Sequence, residues 1–175
     1  MDFLSLANER YSMRKFDSRP VEPEVLNQIL ESARIAPTAT NAQPVRILVL
    51  DSPELIAPMD EYKVTRYHFH APVVLMVCYD KTVSWKRVRF DGKEMGEVDA
   101  SIATTHMMLA ATSLGLGTTW VAAFNPEAAR EAYQVPENLE IVALLPLGYP
   151  AADVEPAPKH FEREPMEHMV SWHHF

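Results

Sequence analysis

The sequence predicts a single domain, residues 1–175, in which four β-strands lie between helices. Three observations predict it. Apolar residues recur at helical spacing over 25–33 and again over 98–114, while four short apolar runs, 45–50, 72–79, 118–124 and 141–147, have the length of strands. No internal repeat, low-complexity tract or linker divides them. A chain of 175 residues is long enough to bury one real core and too short for two ordinary domains.

Each element has its own signal. Residues 2–10 read as a short helix through Phe3, Leu4, Leu6 and Ala7. Pro23 suits a first helical turn, with Glu22 and Glu24 favourable at the positive end of the dipole. Val25, Leu26, Ile29, Leu30 and Ala33 carry that helix forward until Pro37 ends it. A strand over 45–50 is followed by one short helix over 53–61. The run 72–79 is apolar almost throughout, which predicts a strand buried on both faces. In 97–114, Val98, Ile102, Ala103, Met107, Met108, Leu109, Ala110, Ala111 and Leu114 cover most of the circumference, which predicts a helix buried nearly all round. A third strand over 118–124, a helix from Pro126 and a fourth strand over 141–147 follow. The stretch 151–158 is rich in proline and alanine and is expected to cross a surface without regular structure, before a short helix near 165–170 and Trp172.

Composition excludes several classes. Apolar residues make up 47% and charged residues 23%, which is globular rather than disordered. A net charge of −8 argues against nucleic acid as a partner, since a phosphate backbone requires a basic face. No apolar stretch approaches the length needed to span a membrane, and the expected compartment is the cytoplasm. Cys78 is the only cysteine, so no internal disulfide forms, and its apolar setting predicts a buried thiol.

Chemistry concentrates in two segments. Arg10, Ser12 and Arg14 occupy alternate positions, so in extended chain all three leave one face and can converge on one ligand. Two planar forks and a hydroxyl suit a phosphate. The alternative is that Arg10 and Arg14 pair with Glu9 and Asp17 at the surface. Then Ala36-Pro37-Thr38-Ala39-Thr40-Asn41-Ala42-Gln43-Pro44 breaks from a helix end into a proline-bracketed polar loop, which offers amides and hydroxyls to a flat heteroaromatic. All five glycines lie at or after Gly92, so the N-terminal half has no glycine-rich phosphate loop and side chains must hold any phosphate.

These two segments resemble the N-terminal signature of the FMN-dependent nitroreductase family. The likeness continues through Asp99 and the helix it opens, Leu114-Gly115-Leu116-Gly117-Thr118, Leu144-Leu145-Pro146-Leu147-Gly148-Tyr149-Pro150 and Arg163-Glu164-Pro165-Met166. It implies an α+β, three-layer α/β/α fold with a mixed, mainly antiparallel sheet completed by a strand from the partner chain. It also implies a homodimer with the active site at the interface, the central helix in that interface and residues 151–175 wrapped around the partner. The cofactor implied is FMN, with NADH or NADPH as donor and a small electron-poor acceptor such as a nitroaromatic or quinone. The cofactor-binding residues it implies are Arg10, Tyr11, Ser12, Arg14, Pro37, Thr38, Asn41, Arg66, Val121, Ala122 and Arg163.

In that reading Arg10, Arg14 and Arg163 surround the phosphate, and Arg66 lies by the N1–C2=O edge of the ring, with Lys63 as the other cation nearby. The alternative for Arg66 is a surface pair with Glu61. Lys86, Arg87 and Arg89, with Trp85 and Phe90, either form a basic patch for an anionic substrate or belong to a mobile surface loop. Val45 stands where the family often has an aromatic, and Glu164 where it often has a second cation. His68 and His70 lack a third ligand at metal-binding spacing, His106 reads as a satisfied core histidine, and no Gly-x-Ser-x-Gly nucleophile turn exists. No protein group is therefore assigned as catalytic acid, base or nucleophile, and two further hypotheses stand beside the enzyme: a flavin carrier without turnover, and a dimer that has lost its cofactor.

Overall fold

Strands Val45–Leu50 (β1), Val73–Asp80 (β2), Gly117–Thr118 (β3) and Leu139–Gly148 (β4) form one sheet in the order β1-β2-β4-β3, with every neighbouring pair antiparallel. This is seen in the computed structural model of the chain, which describes residues 2–68 and 70–175. The sheet is thus antiparallel throughout rather than mixed, and one isolated parallel bridge, Ser12 to Thr118, lays the N-terminal segment beside β3. β2 is buried from Val73 through Cys78 because helices cover both faces of the sheet. Val73, Leu75 and Val77 pack with Leu145 and Leu147 under helices Pro23–Arg34 (α2) and Gly96–Ser113 (α5). Val74, Met76 and Cys78 face the other way, toward Met59 of Pro58–Glu61 (α4) and Ala129 of Pro126–Tyr133 (α6). Those two cores give the three layers. Burial pushes the Cys78 thiol up to about 11, so it is an inert packing group.

Local sequence explains the boundaries. The first helix, Phe3–Glu9 (α1), is capped by Asp2, whose Oδ1 accepts from the Leu4 and Ser5 amides at 3.1 Å each. α2 starts with Pro23 at its first position and leaves Leu26, Ile29 and Ala33 buried. Asn125 caps α6 in the same way, with Pro126 next. The chain leaves α5 through Gly115 at φ +78, a left-handed turn that glycine adopts without strain.

Four further expectations needed correction. The segment 53–61 is two short helices, Pro53–Ile56 (α3) and α4, because Pro58 has no amide hydrogen to continue the ladder. The third strand is only Gly117–Thr118, not 118–124. Thr119 donates to the Pro146 carbonyl at 3.3 Å, but Pro146 has no N–H to return, so the ladder lapses there. The register survives the gap: Val121 and Leu144 exchange both bonds, at 2.9 and 3.1 Å. α5 is not buried all round within one chain. Its inner face carries Ala100, Ala103, Met107 and Ala111, whereas Val98 is 39% exposed and opens with Ile102, Leu109 and Phe3 onto a groove of about 640 Å³. Lastly, Lys86 and Arg87 do not form a bare basic patch. They sit in a small hairpin, bridged at Lys86 and Glu94, in which Arg87 pairs with Asp91 and Lys86 with Glu94.

The tail runs back over the N-terminal segment of its own chain. Phe16 bridges Pro150, the Ala151 amide donates to the Lys15 carbonyl at 3.4 Å, and Lys15 meets Asp153 at 3.1 Å. A 3-10 turn, Pro158–His160, brings the His160 Nε2 within 2.9 Å of the Asn8 carbonyl. Beyond it lie the short helix Met166–Met169 (α7) and exposed Met166, Met169, Trp172 and Phe175.

Candidate cofactor site

The segment after α1 is extended and lies along the outer side of β3. The Met13 amide donates to the Thr118 carbonyl at 2.9 Å, and Met13 is buried over Gly117, where a Cβ would collide with its side chain. Burying Met13 turns its neighbours Ser12 and Arg14 outward, as the alternation in the sequence requires. The returning tail then closes the opposite wall. The result is a cleft of about 220 Å³ between Arg10, Tyr11, Ser12 and Arg14 on one side and Ala157, Lys159, His160 and Arg163 on the other.

The lining of this cleft is basic. Five of its eight lining residues are cations or, in His160, a potential one, and none is a carboxylate. The surface-pairing alternative is not found: among the described residues neither Arg10 nor Arg14 forms an ion pair with Glu9 or Asp17. Arg14 donates to the Ser12 carbonyl at 3.2 Å, and Arg163 to the Glu162 carbonyl at 2.7 Å, so each keeps further donors for a ligand. Burial, and after it the positive charge of Arg163, holds the Arg10 guanidinium below its ordinary range. Like charges gathered without counter-ions relax when an anion enters. Tyr11 stands edge-on to His160 at 6.1 Å between centroids, and burial, then Glu155, raises its phenol.

Lys159 and His160 were missed by the sequence reading. Nothing in the proline-rich tail marks them; only the turn at Pro158 brings them to the cleft. The other expected residues do not line this cleft. Pro37, Thr38 and Asn41 belong to a loop in which Thr40, Asn41 and Gln43 all have positive φ, at 52, 59 and 51°. The loop is braced by the Gln43 amide on Thr38 Oγ1 at 3.0 Å and by the Asn41 amide on the Thr38 carbonyl at 3.0 Å.

The segment that carries Arg66 is joined to the stretch that follows Val121 and Ala122 by one bond at their neighbours. Thr65 Oγ1 donates to the Ala123 carbonyl at 3.2 Å, tying the segment before β2 to the stretch after β3. Arg66 is exposed and rests on Tyr67, donating to its hydroxyl at 3.2 Å, rather than pairing with Glu61. His106 is satisfied at 3.3 Å by the Ser32 carbonyl, as expected of a core histidine. His68 pairs with Asp60 at 2.9 Å, and no cluster of three or more metal-binding side chains occurs among the described residues.

The fold and this arginine-lined cleft define a class. The nitroreductase family model matches residues 7–68 and 66–149, and this chain belongs to that family. A crystal structure of a nitroreductase family protein from Clostridium difficile is 41% identical, superposes with a TM-score of 0.92 and covers 100% of both chains. The NADH dehydrogenase of Thermus thermophilus is 30% identical over 98% of this chain and 96% of its own length. The FMN reductase [NAD(P)H] of Bacillus subtilis is 32% identical over 84% of this chain and 65% of its own.

Proposed function

We propose that this protein is an FMN-dependent oxidoreductase that takes a hydride from NADH or NADPH and passes it to an electron-poor small molecule, a nitroaromatic or a quinone. The observation that carries this reading is the carboxylate-free cleft of Arg10, Ser12, Arg14 and Arg163 in a nitroreductase-family chain with no glycine-rich loop to hold a phosphate. Relatives named for NADH dehydrogenase and FMN reductase activity support the donor and the cofactor. The flavin, when bound, supplies hydride acceptance and release at N5. Everything else falls to this chain. Arg10, Arg14 and Arg163 hold the phosphate, with Ser12 and the Tyr11 edge beside it. Thr38 and Asn41 would offer short polar groups to the ring, with Pro37 shaping their loop, and the small side chain of Ala122 beside Val121 would leave the backbone there open to it. Arg66 places a positive charge where the reduced ring gathers negative charge. We assign the reaction to the cytoplasm, where reduced nicotinamides are supplied.

The working form in this account is a homodimer. The groove between Phe3, Val98, Ile102 and Leu109 leaves apolar surface that one chain does not cover. Pro150, Ala151, Asp153 and His160 contact the N-terminal segment of their own chain, so the reach of the tail to the partner falls chiefly to 164–175, with its exposed Met166, Met169, Trp172 and Phe175. A site shared between subunits also accounts for the Pro37–Asn41 loop lying outside the arginine cleft of its own chain. The test is an anaerobic titration. NADH or NADPH should bleach the bound flavin, and a quinone added afterwards should restore the colour. A flavin that stays oxidised with both nicotinamides would make the protein a flavin carrier instead.

A prediction concerns Arg66. Replacing it by glutamine is expected to lower the two-electron potential of the bound flavin and to slow its reduction, while FMN remains bound. A potential that does not move would make Arg66 a surface residue.

A further inference from the structure

We infer that Asp99 is a positioning residue for the flavin ring, acting through the Pro37–Gln43 loop; this rests on the flavin reading above. Asp99 stands in the first turn of α5 and is only 2% exposed. A carboxylate this deep requires a reason, because burying a charged group without partners is costly. Its one side-chain hydrogen bond among the described residues crosses to another element: Oδ1 accepts from the Ala39 amide at 2.9 Å. Oδ2 is buried with no partner among the described residues. An apolar side chain at this position would avoid that unsatisfied oxygen, so what the carboxylate contributes to the fold is the contact with Ala39.

Ala39 is where such a contact has leverage. It opens the 3-10 turn Ala39–Asn41, directly after Thr38, which is extended at φ −131 and ψ 156. Immediately beyond it come Thr40, Asn41 and Gln43, three non-glycine residues in the left-handed region. Such conformations are strained and persist only where the surroundings over-determine them. The remaining bonds that shape the loop run within it, from Asn41 to Thr38, Ala42 to Ala39 and Gln43 to Thr38, and to β1, where Arg46 Nη1 donates to the Gln43 carbonyl at 3.1 Å. Among the described residues, the Asp99–Ala39 hydrogen bond thus fixes the strained turn to the rigid central helix. Thr38 and Asn41, two of the three loop residues assigned to the ring, sit on either side of that anchor. The position is also favourable for a carboxylate, because the first turn of a helix presents unpaired amides and the positive end of the dipole.

Two substitutions remove the contact from opposite ends. Asp99→Ala deletes the acceptor. Ala39→Pro deletes the donor and leaves the carboxylate in place, at the first position of a turn after an extended residue, where proline is accommodated. Asp99→Asn keeps an acceptor oxygen and serves as the conservative control. Apoprotein is first compared by hydrogen exchange at the Ala42 and Gln43 amides, then titrated with FMN and with riboflavin, which lacks the phosphate. Both deletions should speed loop exchange and weaken FMN and riboflavin by the same factor, about tenfold, with no further loss when combined. Asp99→Asn should retain most of the affinity. If Asp99→Ala does not fold, Ala39→Pro carries the test by itself. Unchanged exchange and affinity in a folded Ala39→Pro, or additive losses in the double variant, would overturn the inference. If the native protein binds no flavin while its loop exchange still responds to these substitutions, the cofactor reading fails and the anchoring stands.

Discussion

Replacing Arg163 by alanine is expected to weaken FMN binding by roughly ten- to a hundredfold, since charge-assisted hydrogen bonds to a phosphate contribute about 1.5–3 kcal/mol each. Riboflavin, which has no phosphate, should bind the variant as it binds the native protein. Arg163 joins the cleft from the tail and Arg14 from the segment along β3, so Arg14→Ala tests the opposite wall. The folding cost of either change is small, because both side chains are exposed and neither forms an ion pair among the described residues. Fluorescence titration of the two flavins separates the effects. Undiminished FMN affinity in both variants would mean that the phosphate lies elsewhere.

Ending the chain after Pro150 is expected to cost more, because it removes Lys159, His160 and Arg163 together, one whole wall of the cleft. FMN affinity should then fall by more than about a hundredfold, the sum of several lost charge-assisted contacts. The domain should still fold, since both buried clusters and all four strands lie within 21–149. What it loses is the strap over residues 8–16: the His160 bond to Asn8, the Ala151 bond to Lys15 and the Tyr11–His160 edge contact. The exposed apolar residues of 164–175 leave as well, so sedimentation should show a weakened dimer. A truncated protein that keeps its dimer and its flavin would detach the tail from both roles.

The sequence made most of this molecule legible because its strongest signals are local. Pro23, Pro126 and the apolar run of β2 set their elements within a residue or two, and the alternation of Arg10, Ser12 and Arg14 located one wall of the cleft. What it hid was non-local. The shortening of the third strand depends on Pro146, which lies on another strand. The opposite wall depends on a tail that folds back to the segment it meets over a separation of 152 residues, a distance over which no pattern in the proline-rich stretch carries information. The basic hairpin misled for a related reason: Arg87 and Lys86 are neutralised by Asp91 and Glu94, partners that a reading of charge alone does not pair. Asp99 was legible as part of the family likeness, but its contact with Ala39, 60 residues earlier, was not.

The account rests on where the phosphate goes, and a crystal structure of the protein with FMN tests that most directly. It predicts the phosphate between the guanidiniums of Arg10, Arg14 and Arg163, with the ring extending toward Val121 and Ala122. A phosphate bound away from those three arginines, with the cleft holding only solvent, would contradict it.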